Sequence, residues 1–155
     1  MVLVEGAFAG FSVDDIAAAE AFYAGVLGLD AHIGEMGIME IRFPGGGHAI
    51  AYPKPNHQPA GFTVLNLVVA DIDEAVSELN AAGVVTKIYT DPDFGTDGRG
   101  ISRGSGGPDI AWFRDPAGNI LSEKLLIGGV MPSHCQPARA SDSLTRAPMR
   151  RIEFS

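Results

Sequence analysis

One stretch of sequence decides the fold: residues 64–84, Val64-Leu-Asn-Leu-Val-Val-Ala-Asp-Ile-Asp-Glu-Ala-Val-Ser-Glu-Leu-Asn-Ala-Ala-Gly-Val84. Its first part alternates between two faces, which is typical of a β-strand. Asp71, with Glu74 three residues later, forms the kind of capping box that begins a helix. The apolar residues that follow have helical spacing, and Gly83 is placed to end the helix. The stretch predicts a strand, a helix over 71–82 and a helix stop.

An earlier part of the chain repeats this pattern. In Phe8-Ala-Gly-Phe-Ser-Val-Asp-Asp-Ile-Ala-Ala-Ala-Glu-Ala-Phe-Tyr23, another alternating segment leads to Asp15, which lies 56 positions before Asp71. Gly28 corresponds to Gly83 in the repeat and is placed to end the predicted helix of this copy. A repeat at a fixed spacing indicates that one structural unit occurs twice.

Each copy predicts the element order β-α-β-β-β, so the fold class is α+β with two βαβββ modules and a groove between curved sheets. After the helices, the predicted strands are 29–35, 37–43 and 47–52 in the first copy, and 84–90, 109–114 and 119–127 in the second. A glycine-rich loop is predicted over 91–108. The predicted domain covers 1–127, with module one at about 6–52, a proline-rich linker at 53–61, and module two at 62–127. The remainder, 128–155, is predicted to be an extended or disordered tail.

The composition excludes several classes of partner. A net charge of −8 argues against binding to nucleic acid or to an anionic membrane surface, since both require a basic footprint. The apolar runs are too short to span a membrane. The single cysteine, Cys135, cannot form an internal disulfide, which favours a cytoplasmic location.

Three motifs in order resemble the vicinal oxygen chelate superfamily, which includes glyoxalase I, extradiol dioxygenases, fosfomycin-inactivating enzymes and bleomycin-resistance proteins. They are Asp15 with Phe22-Tyr23 and Leu27-Gly28-Leu29, then Asp71-Ile-Asp-Glu-Ala-Val76 with Gly83, and finally the turn Asp115-Pro-Ala-Gly-Asn119. The resemblance covers about residues 6–127. It implies a glyoxalase-like fold and a homodimer, but it is not specific for function.

The same resemblance implies where metal ligands would lie, and those positions hold poor ligands. They fall at Phe8, Ala51, Val64 and Ser122. We therefore predict no metal cofactor. The alternative is a divalent metal held by displaced ligands such as His48, His57 or Glu123, although strand alternation is expected to turn His48 and Glu123 away from the groove and His57 falls in the predicted linker.

The resulting functional hypothesis is a protein, similar to the bleomycin-resistance branch, that binds a small organic molecule in the groove. The acidic composition favours a cationic guest, and aromatic side chains favour an aromatic one. The alternative function is a lyase, isomerase or dioxygenase of the same superfamily. A third alternative is a regulatory or partner domain whose groove is vestigial because side chains such as Phe8, Val64 and Trp112 fill it. The predicted groove residues are Phe8, Gly10, Ala51, Val64, Asn66, Trp112 and Ser122.

Overall fold

The structure is a computed structural model that describes residues 1–91, 95–104 and 106–125. The predicted tail over 128–155 lies outside the described residues. In the first module, Asp15 caps the first helix as predicted, because its carboxylate accepts hydrogen bonds from the backbone N–H groups of Ala17 and Ala18, both at 3.0 Å. Gly28, with φ of 64°, follows the end of the helical region. The elements are β1 (Ala9–Val13), α1 (Ile16–Glu20), a π-helical segment (Ala21–Val26), β2 (Asp30–Ile33), β3 (Met39–Arg42) and β4 (His48–Pro53).

The second module repeats this architecture. Asp71 caps its helix by accepting hydrogen bonds from the backbone N–H groups of Asp73 and Glu74, at 2.9 and 3.0 Å. Gly83, with φ of 84°, follows the helix end, as Gly28 does in the first module. The elements are β5 (Thr63–Val69), α2 (Ile72–Ala81), β6 (Ile101–Ser102), β7 (Ile110–Arg114) and β8 (Ile120–Leu125).

Each module forms one four-stranded mixed sheet. The strand orders are β1-β4-β3-β2 and β5-β8-β7-β6, and in each sheet the first strand pairs in parallel with the last strand of its module. The predicted fold class, two βαβββ modules in one chain, is confirmed. Among the described residues, no helix combines the length and the apolar character that crossing a membrane requires.

The prediction of a strand over 84–90 is wrong. This segment makes only an isolated bridge between Lys87 and Trp112, and the fourth strand of the second sheet is the short β6, inside the predicted loop. Side-chain bonds hold the segment instead, since the Thr86 hydroxyl donates to the carbonyl of Arg99 at 2.6 Å. Gly100 makes this approach possible, because a Cβ at that position would lie 2.4 Å from the Thr86 carbonyl oxygen.

A shared core joins the two modules through the faces of the sheets that carry the helices. The Tyr23 hydroxyl donates to the Asp115 carboxylate at 3.0 Å, and the Asn119 side-chain amide donates to the Ser12 carbonyl at 3.0 Å. Burial and the nearby Asp115 raise the pKa of Tyr23, which therefore remains a donor. The core cluster consists of Phe11, Val13, Ala19, Phe22, Tyr23, Met39, Ile41, Ala49, Ala51, Leu79, Phe113, Ala117 and Leu121. The opposite faces of the two sheets are called the outer faces below.

Candidate functional site

A cavity of 540 Å³ lies where the two modules meet. The first module contributes the end of its helical region and the turn between β3 and β4, and the second contributes β5, α2 and β8. This volume lies in the range of sites that hold drug-sized ligands. The residues that line it are Val26, Leu27, Leu29, Phe43, Pro44 and Gly45 from the first module, and Asn66, Leu67, Val68, Val69, Ala75, Glu78, Leu79 and Glu123 from the second.

The local structure explains why the walls are mainly apolar. Leu27 and Leu29 flank Gly28, so the turn that ends the first helical region places both side chains against the core. On α2, Ala75 and Leu79 are four residues apart and therefore lie on the same face of the helix. The apolar stripe that packs α2 onto its sheet thus also forms one wall of the cavity.

Glu123 is a buried carboxyl group in this apolar setting. On β8 it lies in register between Leu67 of β5 and Ala111 of β7, and the residue is 6 % exposed. Within the described residues, its Oε2 is a buried side-chain oxygen that has no hydrogen-bond partner. Burial, and after it the negative charge of Glu78 on α2, together raise the pKa of Glu123 from 4.5 to about 7.

This arrangement gives the cavity a defined chemistry. A buried polar atom normally has a hydrogen-bond partner, because leaving one unpaired costs about 1–3 kcal/mol. An ionised Glu123 can accept a hydrogen bond from a ligand, and a protonated one can donate to it. The cavity therefore combines mainly apolar walls with a buried hydrogen-bonding group, Glu123, whose charge can change near neutral pH.

On the outer face of the second sheet, three of the predicted groove residues lie side by side. Asn66 of β5 and Trp112 of β7 both pair in register with Ser122 of β8. The Ser122 hydroxyl donates to the Asn66 side-chain oxygen at 2.8 Å, and the Trp112 ring meets the ring of Tyr89 edge-on at 5.5 Å. Asn66 also lines the inter-module cavity, while Trp112 and Ser122 do not.

Val64, which is also a predicted groove residue, is separate from this row. The pairing of β5 with β8 shifts between Thr63 and Leu65, and Val64 packs against the core.

On the first sheet, the expected orientation of β4 is wrong. Ala51 is fully buried in the core and pairs in register with Phe11, so both face the helix rather than the outer side. His48, which was expected to point away from the groove, lies instead on the outer face, where its ring stacks on Phe8 at 5.0 Å. Gly10 is also on this face, and a Cβ there would lie 3.2 Å from Cγ1 of Ile50, so packing accounts for this glycine.

His57 has a structural position that the sequence did not reveal. Its Nδ1 lies 2.8 Å from the Ser12 hydroxyl and its Nε2 lies 3.0 Å from the Ala117 carbonyl. Because a carbonyl can only accept, Nε2 carries the proton and Nδ1 accepts from the serine hydroxyl. The imidazole therefore connects β1 of the first module to the β7–β8 turn of the second.

The residues at the positions where the family resemblance implies metal ligands do not fit a metal ion. Phe8 and Val64 have no donor atoms, Ala51 is in the core, and the Ser122 hydroxyl is bonded to Asn66. In the part of the chain that the structure describes, no group of three or more His, Cys, Asp or Glu side chains is placed to hold an ion. These residues do not form the nitrogen, sulfur or carboxylate donor set that zinc and related metals use.

Paired βαβββ modules that meet at a central cavity define the glyoxalase-like class of proteins. The family model of the Glyoxalase/Bleomycin resistance protein/Dioxygenase superfamily matches residues 7–122, and the chain belongs to this superfamily. Comparison with curated protein sequences gave no match.

Solved structures show the same fold. A superfamily member from Sphaerobacter thermophilus is 23 % identical, with a TM-score of 0.59 over 80 % of this chain and 100 % of that one. TnmS3, an antibiotic-binding protein from a Streptomyces species, is 22 % identical, with a TM-score of 0.57 over 80 % and 98 % of the two chains. The fosfomycin resistance protein FosX from Listeria monocytogenes is 11 % identical, with a TM-score of 0.60 over 87 % and 100 %. At these identities the likeness concerns the fold alone.

Proposed function

We propose that this protein binds a small organic molecule in the inter-module cavity and does so without a metal ion. The observation that carries the proposal is the cavity itself, which has a volume of 540 Å³ and mainly apolar walls drawn from both modules. Apolar lining with few polar groups is the usual composition of a small-molecule site. The antibiotic-binding neighbour TnmS3 supports the same class of function on the same fold.

We expect no metal ion because the side chains at the implied ligand positions are poor metal ligands. The phenyl ring of Phe8 and the methyl group of Ala51 cannot coordinate an ion, and Ser122 donates its hydroxyl proton to Asn66. Elemental analysis of protein purified without chelator tests this part directly. We expect less than about one-tenth of an ion per chain, and no rise in melting temperature with added Zn²⁺, Mn²⁺, Ni²⁺ or Fe²⁺. Stoichiometric metal, or a clear rise with one ion, would instead favour the enzymatic alternative.

We also propose a homodimer in the cytoplasm. The single cysteine supports the compartment. The dimer is supported by apolar side chains left exposed on the outer faces of the two sheets, Phe8 at 60 % and Val68, which also lines the inter-module cavity, at 55 %. Sedimentation velocity tests the dimer. We expect a two-chain species that dissociates when Phe8→Glu and Val68→Glu are combined, and a monomeric wild-type protein would contradict this part.

The binding function itself is tested with a neutral apolar dye, N-phenylnaphthylamine, whose fluorescence rises in an apolar environment. We expect saturable binding to the full-length wild-type chain. Ala75→Phe places a ring in the cavity and should weaken binding at least about tenfold, because the same volume cannot hold both groups. Ala81→Phe makes the same change at an exposed position of α2 outside the cavity, and it should bind like the wild type.

Two results would contradict the proposal. One is the absence of saturable dye binding by the wild-type chain. The other is equal binding by the Ala75→Phe and Ala81→Phe variants, which would place the dye somewhere other than the inter-module cavity.

A further inference from the structure

We infer that the ligand of the inter-module cavity is an organic cation, a primary amine whose ammonium group binds Glu123 while its apolar body lies against Leu67 and Leu79. This inference rests on the proposed function and adds to it the chemical class of the ligand. It is carried by the position of Glu123 in the cavity and by the charges around it.

Glu123 has an unpartnered carboxylate oxygen among the described residues. Glu123 is 6 % exposed, it lines the cavity, and within the described residues its Oε2 has no hydrogen-bond partner. An ammonium group supplies both the missing donor and a compensating charge, and charge-assisted bonds are the stronger kind. A ligand without a donor would leave the oxygen unpaired, which is costly in a buried site.

The charged side chains that line the cavity are both negative. Glu78 lies on α2, lines the same cavity, and acts on Glu123 through its negative charge. Of the described residues that line the cavity, none is Lys, Arg or His. Two carboxylates in a lining without a basic residue among the described ones favour a cation, since a positive ligand offsets the repulsion between them.

The rest of the cavity lining favours an organic cation over a metal ion. Beyond the two carboxylates and Asn66, the cavity is lined by apolar residues and glycine, and the apolar side chains include Leu27, Leu29 and Phe43. Calcium and magnesium require six or more oxygen ligands, and the walls do not present that number of side-chain oxygens. In an organic amine, the ammonium group can bind the carboxylates while the alkyl or aromatic body lies against the apolar walls.

The affinity of the cavity for an ammonium group should depend on pH. Glu123 can bind an ammonium group only as the carboxylate, and its pKa is raised to about 7. The charged group that faces it is Glu78 from α2, while the neighbours in register are the apolar Leu67 of β5 and Ala111 of β7. Affinity for an alkylamine should therefore rise as the pH increases through about 7, and it should fall again only when the amine loses its own proton.

The experiment compares two probes of nearly the same shape, naphthylethylamine and naphthylethanol, by calorimetric titration of the full-length chain. At about pH 8 we expect the amine to bind the wild type at least about tenfold more tightly than the alcohol. Glu123→Gln should remove this preference, because the amide carries no charge. Glu74→Gln removes a negative charge from an exposed position of α2 outside the cavity, and it should keep the preference.

The outcomes separate this inference from the proposed function. If the alcohol and N-phenylnaphthylamine bind in an Ala75→Phe-sensitive manner but the amine has no advantage, the cavity binds small molecules and the ammonium inference is wrong. If the amine keeps its advantage in Glu123→Gln, the carboxylate is not the binding group and the inference is wrong. If neither probe binds, the proposed function itself fails.

Discussion

Replacing Glu123 by glutamine should stabilise the protein, and only at high pH. The carboxyl is buried with a pKa of about 7 in the folded chain, against 4.5 when it is unperturbed. Because the folded value is the higher one, the folded state favours the protonated form. The stability that the protonated carboxyl contributes is fully present below about pH 4.5, and it is lost as the pH rises from there through about 7. The difference between the two values corresponds to at most about 3 kcal/mol, because solvent screens part of the penalty.

The assay is urea unfolding of the wild type and Glu123→Gln at about pH 4 and about pH 8. Glutamine resembles the protonated acid in shape, so the two proteins should have nearly equal free energies of unfolding at the lower pH. At the higher pH the variant should be more stable by up to about 3 kcal/mol. Glu74→Gln, on the exposed side of α2, is the control and should change stability by less than about 1 kcal/mol at both pH values. An effect of Glu123→Gln that does not depend on pH would contradict this prediction, since it would mean that burial does not penalise the carboxylate.

Three further substitutions test how the fold holds the site in place. Tyr23→Phe removes the buried inter-module bond to Asp115 and should lower the free energy of unfolding in urea by about 1–3 kcal/mol. Gly100→Ala should cost about 2 kcal/mol or more in the same assay, because φ is 91° there and the new Cβ would contact the Thr86 backbone. Asp71→Ala removes the cap of α2 and should cost about 1 kcal/mol, measured by thermal unfolding followed by circular dichroism.

Each of these has a matched control. Tyr52→Phe removes a hydroxyl from a side chain on the outer face that is 39 % exposed, and an equal effect there would mean that the inter-module bond contributes nothing. Gly98→Ala has no neighbour within 4 Å of the added Cβ, so Gly100→Ala should be clearly the more damaging of the two. Asp71→Asn keeps an acceptor at the cap and should retain most of the stability, and a loss as large as that of Asp71→Ala would point away from the cap.

The repeat and the helix boundaries could be predicted from the sequence because their signals are local. Asp15 and Asp71 cap the helices, and Gly28 and Gly83 follow them, since capping and positive φ depend only on residues nearby in the chain. The element order of two βαβββ modules follows from these signals. The row of Asn66, Trp112 and Ser122 on one face of the second sheet also follows, because alternation and the turn before β8 set the register.

The features that could not be predicted depend on contacts between distant parts of the chain. Ala49 and Ala51 alternate with His48 and Ile50, and nothing in β4 alone tells which pair faces the helix. The β-branched residues of 84–90 predict the edge strand of the second sheet there, yet β6 occupies that position because of tertiary contacts. The inter-module cavity cannot be predicted for the same reason, although an acidic residue between Leu121 and Leu125 on a buried strand is a signal that Glu123 is unusual.

A crystal structure of the complex with naphthylethylamine would show whether a small organic cation binds between the modules at Glu123. We expect the amine nitrogen within hydrogen-bond distance of the Glu123 carboxylate, with the rings against Leu67 and Leu79. A ligand bound on the outer face beside Asn66, Ser122 and Trp112, with the inter-module cavity empty, would contradict this expectation.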